Sequence, residues 1–149
     1  MTTKSDFTSE EWKVILEGPP SAGLIVVTAQ RGGALRETMA IAKSYAEARR
    51  QHGSSELLDE LVAAKPERDH TRFHSFEELK AHGVAHLRDA ISLLEQKASP
   101  EEVADYRSFV LALSEKVASA HREGGVDVSP AEQAAIDEIT AALAGTSLA

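Results

Sequence analysis

The chain has no cysteine. Disulfides, thiolate metal sites and a cysteine nucleophile are excluded, and the usage fits a reducing cytoplasm. Aromatic residues make up 5% of the sequence, and they do not interleave with basic residues as in a surface that stacks on bases. Positive charge is also short: 16 Lys and Arg stand against 24 Asp and Glu, a net charge of −8. An acidic surface disfavours non-specific contact with nucleic acid or anionic lipid. The local basic groups, Arg49-Arg50 and Arg68 with Arg72, have acidic neighbours and read as solvated helix surface. The longest strongly apolar run, residues 22–27, is interrupted at Gly23. A bilayer needs about 20 apolar residues in a row, so no transmembrane segment is expected. Met1-Thr2-Thr3-Lys4-Ser5-Asp6 lacks the basic-then-apolar pattern of a secretory signal. No nucleophile elbow, phosphate-binding glycine loop or dinucleotide fingerprint occurs. These absences lead to the expectation of a soluble, cytoplasmic protein with no nucleic-acid partner.

What is present is helix. Alanine, leucine and glutamate are frequent, and the one β-branched run, Ile25-Val26-Val27-Thr28, is short and has helix-forming neighbours. At 149 residues the chain reads as a single helical domain, 1–149, with 1–6 and 145–149 as frayed ends. The predicted fold class is all-α, a compact bundle of about seven helices.

Local signals set the boundaries. Thr8-Ser9-Glu10-Glu11 is a capping box, and Phe7 and Trp12 stand where a hydrophobic staple needs them. Gly18-Pro19-Pro20 is expected to end this first helix, because proline cannot continue one. A second helix is predicted over 21–30, stopped by Gly32-Gly33, and a third over 34–51 with Leu35, Met39, Ala42 and Ala46 inward. A short helix covers 55–64, and 65–74 is expected to be irregular. Ser75-Phe76-Glu77-Glu78 caps a helix reaching about residue 96, with Phe76, Leu79, Gly83, Leu87, Ala90 and Leu94 on its apolar face. Ser99-Pro100-Glu101-Glu102 caps the next, whose stripe is Val103, Tyr106, Val110, Leu113, Val117 and Ala120. Ser129-Pro130-Ala131-Glu132 opens the last, with Ala135, Ile136, Ile139 and Leu143 inward.

Two places share a shape, an apolar helix followed by a charged residue and Gly-Gly: Arg31-Gly32-Gly33 and Glu123-Gly124-Gly125. Side-chain agreement beyond the glycines is poor. Two glycine-terminated helices can coincide without duplication.

Residues 110–143 carry a family pattern. Val117-Ala118-Ser119-Ala120, followed by Gly124-Gly125-Val126-Asp127-Val128-Ser129-Pro130-Ala131-Glu132-Gln133, resembles the TerB-like domains of the tellurite-resistance group. The resemblance covers some thirty residues and, outside them, only the helix count. It implies an all-helical module acting through protein contacts, stress-related in role. The family's turns carry Asp-Gly in both halves, taken as metal contacts. This chain has Glu123-Gly124 at the second turn and Arg31-Gly32 at the first, and an arginine cannot ligate a cation. At most half of that equipment is present.

Two groups of residues are candidate ligands for a divalent metal. Glu123, Asp127 and Glu132 surround one loop and offer hard oxygens to Ca²⁺ or Mg²⁺, although their spacing is not that of an EF-hand. The simpler account makes Glu132 a capping residue, Asp127 a turn residue and Glu123 solvated. The second group is His70, His74, His82 and His86. Each pair is spaced four apart, which on a helix puts both rings on one face. A zinc-protease His-Glu pair is absent, since Gly83 follows His82, and Glu78 precedes His82 by four residues where a di-iron bundle needs three. The simpler account makes His82 and His86 partly buried residues bordering the core. His52 and His121 fall near helix C-termini, where the dipole favours them. The expected function is therefore a non-enzymatic module with a protein partner. The competing expectation is a metal-binding sensor or enzyme built on the histidines of 70–86.

Overall fold

The computed structural model describes residues 4–29, 34–50, 56–63, 75–123 and 130–144. Among them, after a 3-10 turn at Lys4–Asp6, lie six α-helices: α1 (Ser9–Ala29), α2 (Ala34–Arg50), α3 (Glu56–Ala63), α4 (Phe76–Lys97), α5 (Pro100–Glu123) and α6 (Pro130–Leu143). No strand occurs among the described residues. The all-α bundle is as the sequence predicts. None of these helices is long and apolar enough to cross a membrane.

Three of the four expected caps form where the sequence places them; the fourth, at Ser129, lies outside the described residues. Glu11 N–H donates to Thr8 Oγ1 at 3.1 Å, and Thr8 N–H donates to Glu11 Oε1 at 2.9 Å, a reciprocal box. Phe7 and Trp12 close the staple, their ring centroids 5.9 Å apart. Ser75 Oγ accepts from Glu78 N–H at 3.1 Å. Ser99 and Glu102 make the second reciprocal box, at 3.2 and 3.0 Å, and Glu102 is buried in doing so. Ser99→Ala is expected to cost about 1 kcal/mol in a urea melt, because it strips one orphan N–H of its acceptor.

Helix C-termini are closed by arginines from elsewhere in the chain. Arg49 Nε donates to Val62 O at 2.6 Å, at the end of α3. Arg107 Nε donates to Leu143 O and its Nη2 donates to Ala144 O at 3.2 Å, at the end of α6. A cation there meets both the orphan carbonyls and the negative end of the dipole. Arg107→Met should therefore cost about 1 kcal/mol, with exchange of the amides of α6 rising more than those of α4.

The centre of the bundle is α1. Its main neighbours are α4 and α5, with α2 and α6 also against it. Along residues 14–26 no position is fully exposed, consistent with a helix apolar on all sides. Helix α4 runs antiparallel to it. Gly83 faces Ile25 and Ser21, His86 faces Val14, and Lys97 reaches Glu11 and the Asp6 carbonyl. Helix α5 runs alongside in the same direction as α1, with Tyr106 near Ile15 and Leu113 near Gly23. Ile15, Ile25, Leu87, Ile91, Leu94, Leu113 and Ile139 fill the space between them.

Two expectations are corrected. Gly18-Pro19-Pro20 does not end a helix: α1 continues through it to Ala29, and the predicted helices over 8–18 and 21–30 are one. The missing donor of Pro19 is replaced from another helix, as described below. That merger also accounts for six helices where about seven are expected. The inward face of α2 is misplaced as well. Met39 and Ala42 are exposed, and the buried positions are Ala40, Ser44 and Tyr45. Tyr45 packs edge-on against Phe109 at 5.2 Å, and one buried aromatic outweighs the small area of an alanine stripe. The side chain of Leu35 lies outside the described residues.

Candidate functional site

The site begins with a backbone defect. In a helix, Ile15 C=O expects the N–H of residue 19, which in Pro19 does not exist. Tyr106 Oη, from α5, donates to that carbonyl at 2.9 Å. One residue earlier, Val14 O is met by His86 Nε2 from α4 at 3.1 Å. A carbonyl only accepts, so His86 carries its proton on Nε2 here. Only the phenol answers the proline break: the helical partner of Val14 O is Gly18, which keeps its N–H, and the carbonyl that Pro20 leaves without one is Leu16 O.

A glycine makes the phenol's approach possible. A Cβ on Gly18 would stand 2.0 Å from Tyr106 Oη. Real carbon and oxygen atoms do not come so close, so any side chain at 18 displaces the hydroxyl. Tyr106 is fully enclosed, and burial holds its hydroxyl well above the ordinary phenol pKa. It is a neutral donor throughout the physiological range.

The acid of the site is Glu17. It is buried, and its side chain is 8% exposed. Its Oε2 lies 3.4 Å from His86 Nε2 and its Oε1 lies 3.8 Å from Lys13 Nζ. Neither is a short hydrogen bond; a charge-assisted pair closes to about 2.7–2.9 Å. The carboxylate nevertheless lies within ion-pair distance of both, and the buried side-chain atom without a hydrogen-bond partner among the described residues is Ser44 Oγ. His82, one turn before His86 on α4, is exposed, and the two ring centroids are 6.1 Å apart.

The candidates from sequence divide accordingly. His82 and His86 share a face of α4 as their spacing predicts. His70, His74 and Asp127 lie outside the described residues. Glu123 is the last residue of α5 instead of the first of a loop, and its side chain and that of Glu132 are not described. His52 and both Gly-Gly turns also lie outside. Among the described residues no three His, Asp or Glu side chains converge as metal ligands. Sequence reasoning missed Glu17 and Gly18, because it ended a helix at Gly18 and gave Glu17 no role. It placed Tyr106 in an apolar stripe and did not see its hydroxyl's task. One signal was present: Pro19 implies an orphaned carbonyl at Ile15, and an orphan in a core demands a donor.

A second polar junction ties the bundle at its other end. Lys97 Nζ donates to Glu11 Oε1 at 2.7 Å and lies 5.6 Å from the Phe7 ring centroid. The lysine's hydrogen bond holds the Glu11 carboxyl below its ordinary range, with help from Thr8 N–H. This junction is structural, joining the start of α1 to the end of α4.

No protein-family model, curated protein or solved structure matches the chain.

Proposed function

We propose that the chain is a non-enzymatic helical module that works through contacts with a protein partner, in a cytoplasmic, stress-related role like that of the TerB-like domains it resembles. The observation that supports this reading is how the buried polar groups are used. Tyr106 and His86 are both directed at backbone carbonyls of α1. Groups engaged with the backbone of another helix are poorly placed to act on a substrate. The resemblance itself rests on the sequence of residues 110–143.

The test is reciprocal affinity purification from cells grown with and without tellurite. A single protein recovered in near-equimolar amount from either end supports the module. A chain that purifies alone, and turns over a substrate in a manner lost in Glu17→Gln, overturns it.

The competing reading is a metal-dependent sensor or enzyme. It draws support from His82 and His86, whose rings lie side by side on α4. His70 and His74, the other half of the predicted cluster, add nothing to it from the described residues.

A further inference from the structure

We draw no further inference here: the strongest candidate, the open cleft between the start of α1 and helix α3 lined by Phe7, Thr8, Trp12 and Glu60, carries nothing, because it is a helix N-terminus beside a single carboxylate and nothing in the structure shows what would occupy it.

Discussion

Gly18→Ala is expected to destabilise the protein by about 1–5 kcal/mol. The added methyl meets Tyr106 Oη at 2.0 Å and Cζ at 3.3 Å. Tyr106 is enclosed on every side and cannot retreat toward solvent. Overpacking of this kind costs about 1–3 kcal/mol. If the hydroxyl is pushed off Ile15 O, the buried carbonyl loses its donor, for about 1–3 kcal/mol more. Alanine returns about 1 kcal/mol through helix propensity, which offsets only part of the loss. Urea denaturation should show a lowered midpoint at unchanged slope. The double variant Gly18→Ala with Tyr106→Phe is the sharper reading. It removes the colliding oxygen, so it should cost less than the two single changes together by about 1 kcal/mol or more. A neutral Gly18→Ala would mean that the close approach of α1 and α5 is not there.

Tyr106→Phe alone should cost about 1–3 kcal/mol at neutral pH, because it leaves the Ile15 carbonyl buried and unpaired. The cost should shrink in a Pro19→Ala background, where residue 19 again supplies the N–H that helical geometry assigns to Ile15. The same hydroxyl shapes the alkaline limb. Burial raises its pKa in the folded state above the ordinary value of 10.0. A group raised on folding contributes stability that is complete below the unfolded pKa and is lost as pH rises toward the folded one. Each such tyrosine then removes about 1.4 kcal/mol per pH unit above about pH 10. Tyr45 is raised by burial in the same direction, so two tyrosines act in wild type and one in Tyr106→Phe. Stability measured from pH 9 upward should therefore fall less steeply in the variant, in keeping with these slopes. Parallel curves would show that the Tyr106 phenol is not held neutral by the fold.

Much of the fold is decided locally, and those parts are legible in the chain. Thr8, Ser75 and Ser99 cap helices because a hydroxyl three residues ahead of a free N–H needs nothing from the rest of the molecule. The stripe of Val103, Tyr106, Val110, Leu113 and Val117 is buried along its length, as a period near 3.6 requires. The run Ala135, Ile139 and Leu143 behaves alike. The errors come where distance along the chain is large. Met39 belonged to a plausible stripe but is 52% exposed, because Tyr45 found Phe109 and turned α2 accordingly.

The sequence by itself determined the helical class, most helix boundaries, the caps at Thr8, Ser75 and Ser99 and the faces of α4, α5 and α6, all of which rest on interactions within about four residues. It also determined that His82 and His86 share a face. Only the tertiary structure decided what Gly18-Pro19-Pro20 means. By local rules the two prolines end a helix. In the bundle, a phenol ninety-one positions away supplies the hydrogen bond that Pro19 cannot, and α1 runs on. The same packing buried Glu17 beside His86. The physical reason is common to both. A hydrogen bond to an orphaned carbonyl, and the burial of a carboxylate, depend on which helix lies alongside, and no spacing within a single helix encodes that.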